Sequence, residues 1–520
     1  MRKPIKIIDL FAGPGGLGEG FSQLKENNQN VFKIAVSIEK EESAHRTLTL
    51  RSFLRQFDGS SFPPEYYDFL KGELGDSPEQ ELFKLPKFQN ELEEARREAQ
   101  CITLGEETET RAFKCIDEAI GKENCILIGG PPCQAYSLVG RARNIGSKNY
   151  DATQDHRNFL YKEYLKIIAR YHPLVFVMEN VKGMLSAKVD GELIFGKILN
   201  DLQDPCKATD TKPKFIKEKH KYNIYSFVSD KEELTPKDFI IKAEEYGIPQ
   251  ARHRVILLGV REDIDSKTQR HLLEPVEKPP TVKDVIADLP PLRSKLSKGG
   301  DSLEKWRNAI KNYDKRLLTE IKNNKDINQA VYNSFLKHIS VISDSPESTG
   351  KNLNQQKTKA FKDINSELKS WLIDEQLGSY VVNHEARGHI TTDLHRYLFY
   401  SIYTEVNGVS PKSYNLPKAL WPAHKNFDSG KFADRFRVQR ANSHGTTVTS
   451  HISKDGHYFI HYDPMQCRSL TVREAARIQT FPDNYFFVGN RTQQYVQVGN
   501  AVPPFLAFKL AELVFDLLKL

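Results

Sequence analysis

Cysteine is scarce in this chain of 520 residues: the six are Cys101, Cys115, Cys125, Cys133, Cys206 and Cys467, with no CxxC pair and no close cluster. That spacing excludes a disulfide framework and fits a reduced compartment. Long apolar runs are also missing. The longest, such as residues 255–260, are strand-sized, too short to cross a bilayer as a helix. Met1-Arg2-Lys3-Pro4 passes directly into Ile5 without an apolar stretch of secretory length, so a cytoplasmic protein is expected. Repeats and low-complexity tracts are absent. Net charge is small, 75 Lys plus Arg against 68 Asp plus Glu, or +7, which permits a polyanionic partner without requiring one. What is present is 39% hydrophobic content, enough for real cores, and a length that predicts two to four domains.

Short apolar runs at residues 5–10, 34–38, 125–128, 174–178 and 255–260 alternate with longer mixed stretches, the pattern of a parallel sheet covered by helices. Residues 41–118 separate two of these runs and are rich in Glu, Gln, Arg and Lys, which predicts a helical insertion. After residue 261 the alternation stops. Pro279-Pro280, Pro290-Pro291 and Gly299-Gly300 punctuate a Lys- and Asn-rich region with little apolar periodicity, and a second domain is expected from about residue 266. Residues 446–452 and 457–462 read as strands joined by a turn at Lys454-Asp455-Gly456. Residues 471–479 read as a capped helix and 505–520 as a closing amphipathic helix.

The run 5–10 ends in Asp9-Leu10-Phe11-Ala12-Gly13-Pro14-Gly15-Gly16-Leu17-Gly18, a glycine-rich turn opening a helix, where backbone amides can approach a ligand closely. A turn of this composition also serves as a plain helix cap. Further on, Val36-Ser37-Ile38 ends in Glu39, a carboxylate placed to accept both hydroxyls of a ribose. The full GxGxxG spacing is missing and the turn holds no basic residue, so an adenosyl ligand without phosphates fits better than a dinucleotide. After the run 125–128, Gly129-Gly130-Pro131-Pro132-Cys133-Gln134 sets a thiol on a proline-stiffened loop, where Cys133 is a candidate nucleophile. The other five cysteines read as small buried apolar residues. Glu179, in Glu179-Asn180-Val181, either joins a cleft at the carboxyl ends of parallel strands or caps the following turn. In Gln250-Ala251-Arg252-His253-Arg254 the alternation projects Arg252 and Arg254 to one side, toward the same cleft or toward solvent.

Six segments in order now carry a resemblance. They are residues 9–18, Pro132-Cys133-Gln134, Glu179-Asn180-Val181, Gln250-x-Arg252-x-Arg254, the stretch 468–477 containing Leu470-Thr471-Val472-Arg473-Glu474, and Gln497-Val498-Gly499-Asn500-Ala501-Val502-Pro503-Pro504. They span nearly the whole chain, which resembles the DNA cytosine-5 methyltransferases of the bacterial restriction-modification type. The resemblance implies an α/β fold: a Rossmann-like S-adenosylmethionine-dependent methyltransferase domain with a mostly parallel sheet, plus a separate smaller target-recognition domain. It implies a catalytic and cofactor-binding domain over 1–265, the recognition domain over 266–467, and a segment 468–520 that returns to the catalytic domain.

It also implies roles for residues. Cys133 would add to carbon 6 of cytosine, Glu179 would bind the exocyclic amine and ring nitrogen 3, and Arg254, with Arg252, would hold the carbonyl oxygen and favour the thiolate. Phe11, Gly13, Gly15, Glu39, Asp117, Asn500 and Val502 would bind S-adenosylmethionine. The loop after Pro132, with Gln134, Ser137, Arg141, Arg143 and Lys148, would close over duplex DNA around a flipped base. Lys207, Lys212, Lys214, Lys217, Lys219 and Lys221, and Arg435, Arg437 and Arg440, are either solvated faces or further contacts to the DNA backbone. His444, His451, His457 and His461 lack cysteine partners at zinc spacing, and no metal is expected. A monomer in the bacterial nucleoid, sharing its site with a cognate restriction endonuclease, is the expected setting. An RNA cytosine-5 methyltransferase and a silent DNA-binding protein of the same fold are the alternatives.

Overall fold

Apolar runs bounded by charge, glycine or proline form strands because a sheet covered on both faces removes them from water with every backbone group paired. The computed structural model describes residues 3–57, 62–75, 77–78, 80–132, 159–189, 192–216, 218–265, 270–324, 327–350, 353–354, 366–422 and 435–519. Its main sheet has eight strands: β1 (Ile5–Leu10), β2 (Phe32–Glu39), β3 (Ala99–Cys101), β4 (Cys125–Gly129), β5 (Val175–Val181), β6 (Tyr222–Tyr225), β7 (Ile240–Lys242) and β8 (His253–Arg261). The lateral order is β6-β8-β5-β4-β1-β2-β3, with β7 also paired to β8. Strands β1, β2, β4 and β5 are parallel, as expected, and β3, not among the expected strands, joins them in the same direction. The run 255–260 is corrected: β8 is antiparallel to β5, with Arg254 opposite Val181 and Val260 opposite Val175. The cause is the short connection from β7, which pairs antiparallel with the start of β8 and contains no crossover helix. Phe11, Glu39, Cys101, Gly129 and Val181 therefore lie along one edge, and β8 starts there.

Side chains alternate across the sheet with period two. Ile7, Ile34, Ile128 and Val177 enter one core, while Ile8, Val36, Leu127 and Met178 enter another. The glycine-rich turn opens α1 (Gly16–Ser22), and α2 (Glu42–Leu54) follows β2. Residues 41–118 are not a plain insertion, because they contain α2, α3 (Gln89–Glu98), strand β3 and α4 (Glu109–Ile120). Ala112, Ile116 and Ile120 of α4, with Leu165 and Ile168 of α5 (Phe159–Tyr171), cover the second face. The part between α2 and β3 adds to the strand-helix alternation; its Tyr66, Phe69, Phe83 and Phe88 form a small core with Phe53 of α2 and with Leu377, Val382 and Val488.

The region after residue 261 is more regular than its composition suggests. The short α6 (Val282–Ile286) packs its Val282, Val285 and Ile286 into the first core. Beyond it, α7 (Leu303–Lys311), α8 (Arg316–Asn323), α9 (Gln329–Ser340) and α10 (Thr391–Asn407) enclose a second core around Trp306, Leu317, Phe335, Leu398 and Ile402. Each of the three shorter helices contributes only two buried residues among many polar ones, which hides the period in composition.

Residues 446–452 and 457–462 are corrected as well. Only Gly445–Thr446 pairs as a strand, with Gln250–Ala251, and Ser450–Ser453 and His457–Phe459 are single 3-10 turns. Tertiary packing overrides the β-branched residues: the Cα of Gly499 sits so close that a Cβ there would lie 2.2 Å from Ser450 N. The predicted capped helix is α11 (Val472–Ile478), with Thr471 and Glu474 forming a capping box. After α12 (Arg491–Asn500), the closing helix α13 (Pro504–Leu518) lies on α1, so close that a Cβ on Gly20 would come within 2.4 Å of Phe508 N. No helix among the described residues is long and apolar enough to cross a membrane.

Candidate active site

The order β3-β2-β1-β4-β5 reverses at β1, and in open α/β sheets the crevice at such a reversal, beyond the strand carboxyl ends, receives ligands. On one side of it stands the glycine-rich turn. Gly13 and Gly15 have φ of +59° and +101°, conformations costly for other residues, and nothing lies within 4 Å of where a Cβ on Gly13 would be. Phe11 is held at φ 56°. Glu39 organises this side: its Oε2 accepts from Gly13 N at 2.8 Å, and its Oε1 accepts from Glu41 N at 2.7 Å and Lys40 N at 2.9 Å. From the end of the chain, Val502 O presses on Gly16, where a Cβ would be 2.3 Å away, and Asn500 is exposed beside it in sequence.

The other side is built by β4, β5 and β8. Arg254 Nε meets Glu179 Oε1 at 2.8 Å, and both side chains keep partial access to solvent. Gly130 leans on this pair, since a Cβ there would lie 2.9 Å from Glu179 Oε2, and Asn180 Nδ2 donates to Pro131 O at 3.0 Å. The loop entering Cys133 is thus tied to the strand bearing Glu179. Cys133, Gln134, Ser137, Arg141, Arg143 and Lys148 lie outside the described residues.

Arg252 is placed differently from Arg254. It is buried, its Nη1 donates to Val448 O at 2.9 Å and to Gly499 O at 3.4 Å, and its Nε has no partner among the described residues. Burial and the charge of Arg254 push its pKa well below that of a free guanidinium, with Glu179 opposing.

Asp117 is not brought to this edge. It stands on the last turn of α4, which feeds the amino end of β4, and its carboxylate takes Tyr171 OH at 2.9 Å and meets Arg170 and Lys214 at 3.2 Å. Lys6, at the start of β1, donates to Ala119 O nearby, which marks that end as the opposite edge. The lysine run also belongs there: Lys214 N bonds Arg170 O, Lys221 N bonds Glu262, and β6 starts opposite Arg261. Lys217 lies outside the described residues. Arg435 pairs with Asp455 at 3.4 Å and Arg437 stacks over Tyr458, whereas Arg440 is exposed and donates to Gly408 O. His457 bonds Tyr397 OH at 2.6 Å and His461 accepts from Asp463 N at 3.1 Å, so both are engaged in the interior.

Several residues that support this edge from below escape sequence reading. Tyr485 OH donates to Pro14 O beneath the glycine turn. Strand β3 sets Cys101 opposite Glu39. Gln250 and Gln479, both fully buried, bond each other through their side-chain amides. The visible signal for Gln250 was its place in a motif; for Gln479 and Tyr485 none exists short of the fold, because a buried polar side chain breaks no apolar period.

A family model for C-5 cytosine-specific DNA methylase matches residues 105–205 and 218–516, well over half the chain. The type II methyltransferase M.Bpa9945I of Bacillus paralicheniformis is 32% identical over 528 aligned positions, covering 98% of this chain and 99% of that one. The type II methyltransferase M.AgeI of Thalassovita gelatinovora is 25% identical over 533 positions, covering 98% and 99%. M.DdeI of Desulfomicrobium norvegicum, also a type II methyltransferase, is 26% identical over 404 positions, covering 74% and 71%.

Proposed function

Because this chain belongs to the C-5 cytosine-specific DNA methylase family and is a DNA cytosine-5 methyltransferase, we propose that it marks one cytosine of a specific duplex sequence as the modification half of a type II restriction-modification system. The observation that carries the reading is the Glu179–Arg254 pair beside the loop that leads into Cys133. A cytosine is a neutral ring, and nucleophilic addition at its carbon 6 needs electron density withdrawn through nitrogen 3 and the carbonyl oxygen. Glu179 holds the exocyclic amine and nitrogen 3. Arg254 holds the carbonyl oxygen, and its charge favours the Cys133 thiolate that adds to carbon 6. Arg252, spent on the carbonyls of Val448 and Gly499, is not assigned a contact with the base.

The opposite wall suits S-adenosylmethionine. Open space over Gly13, a turn held left-handed at Gly13 and Gly15, and a Glu39 carboxylate already oriented by three amides are what an uncharged ribose and adenine require. Phe11, Gly13, Gly15, Glu39, Asn500 and Val502 would hold it; Asp117 is not proposed. When bound, the cofactor supplies the electrophilic methyl group. The target base must leave the duplex to reach this cleft, with Gln134, Ser137, Arg141 and Arg143 on the DNA backbone. We assign sequence reading to residues 266–467, whose helical core stands apart from the sheet's.

Bisulfite sequencing of plasmid DNA from a host without its own cytosine methylation tests this. Wild-type chain should leave protected cytosines at one short recurrent sequence, and Cys133→Ala none. A soluble wild type that protects no cytosine would turn the reading to RNA. Protection by Cys133→Ala would remove that residue as nucleophile.

A further inference from the structure

We propose that Gln250, Gln479 and Arg252 are positioning residues that couple the base side of the cleft to the cofactor side, so that each ligand is bound more tightly once the other is present. The inference rests on the two placements proposed above and assigns to these three side chains a role separate from contact with either ligand.

The geometry is a closed relay. Gln250 Nε2 donates to Ile478 O at 3.1 Å and to Gln479 Oε1, and its own Oε1 accepts from Val448 N at 3.0 Å. Gln479 Nε2 passes the link on to Val498 O at 2.7 Å and Ala501 O at 3.1 Å. Two residues beyond Gln250, Arg252 joins the same two segments again through Val448 O and Gly499 O. Two residues further, Arg254 meets Glu179. At the other end of the relay, the carbonyl of Val502 rests on Gly16 in the cofactor turn. Gly499 leaves no slack between the segments, because its Cα is pressed directly on Thr449 and Ser450. All three side chains are buried, so each bond lost leaves an amide or a charge without water to replace it.

This arrangement makes the start of β8, the loop at 448–450 and the segment 498–502 one mechanical unit. A base drawn against Arg254 shifts or stiffens the strand start, and the change reaches Val502 without passing through bulk solvent. Electrostatics act in the same direction. Arg252 lies close enough to Arg254 for the two charges to oppose one another, so a group that accepts from Arg254 on the base side also bears on Arg252 and on the two carbonyls it holds. Coupling of this kind is reciprocal by linkage.

The experiment uses the full chain, a duplex carrying the sequence found by bisulfite mapping, and S-adenosylhomocysteine as a probe that cannot react. Duplex affinity is measured by fluorescence anisotropy with and without the probe, and probe affinity by calorimetry with and without duplex. Wild type should gain roughly fivefold or more in each affinity from the other ligand. Gln479→Met and Gln250→Met should keep each separate affinity within about threefold and lose most of the gain. In wild-type protein, hydrogen exchange supplies a readout independent of any variant: duplex alone should slow amides at 498–502, and probe alone those at 448–450. A folded variant that retains the gain, or wild type in which each ligand protects only its own side, overturns the proposal. A wild type that binds duplex but not the probe overturns the cofactor placement instead, and Glu39→Ala, expected to lose the probe alone, separates the two failures.

Discussion

Asp9 is fully buried on β1 at the root of the glycine-rich turn, and neither carboxylate oxygen has a hydrogen-bond partner among the described residues. The facing Ser37 Oγ on β2 is likewise unpartnered. Burial pushes the Asp9 pKa up to about 8, with Arg55 lowering it and Glu98 and Glu39 raising it further. The folded chain therefore keeps this proton over a range in which the unfolded chain, with a carboxyl near the ordinary value of 3.8, has lost it. Stability from this group is complete below the unfolded pKa and is lost as pH rises through the folded one. Asp9→Asn cannot titrate, so between about pH 5 and 7 the wild type should lose roughly 1.4 kcal/mol per pH unit relative to the variant. Urea unfolding at several pH values measures the two slopes; parallel slopes would show Asp9 ionised in the fold.

Helix α11 shows how one element can carry a cap, a buried ion pair and a contact with a stretch of chain far away in sequence. Glu474 accepts from Thr471 N at 2.7 Å as part of the capping box, and both its oxygens take Arg468 at 2.6 Å. Burial opposes ionisation, yet Arg468 and His461 hold the carboxyl far below the usual range. Its stabilisation is therefore present at neutral pH and lost only in strong acid. Arg468 also donates to Leu292 O, which ties the helix to the chain leading into the second core. Glu474→Gln should cost about 3–5 kcal/mol, because it strands a buried guanidinium, whereas Thr471→Ala removes a cap worth about 1 kcal/mol. Thermal unfolding ranks the two. Equal losses would mean that the pair contributes no more than the cap.

Across the molecule, the edge bearing Glu179 and Arg254 and the lysine run lie at opposite ends of the sheet. Lys212 and Lys219, at the end away from Glu179 and Arg254, should therefore be spectators in DNA binding. The double substitution Lys212→Ala, Lys219→Ala is expected to leave duplex affinity within about twofold and the salt slope unchanged. A slope reduced by one or more would place DNA on that end as well. The segment before β3 has a different reach: Tyr67 OH and Asn484 Nδ2 both bond Asp374 Oδ2, which joins it to the connection between α9 and α10 and to the stretch following α11.

The chain's own order determined what depends on neighbours in sequence. Apolar runs gave five strands, Gly13 and Gly15 marked a turn only glycine enters cheaply, and Thr471 with Glu474 announced a capped helix, because these effects act within a few residues. The family was legible for the same reason, as its motifs are local. The tertiary structure alone decided the antiparallel direction of β8, the loss of the strands expected at 446–462, and the removal of Asp117 to the far end of the sheet. It alone paired Gln250 with Gln479 and set the direct contact of Glu179 with Arg254, two residues the resemblance had only brought to the same base, since which distant side chains touch is set by strand order and by closely packed backbones such as those at Gly16 and Gly499.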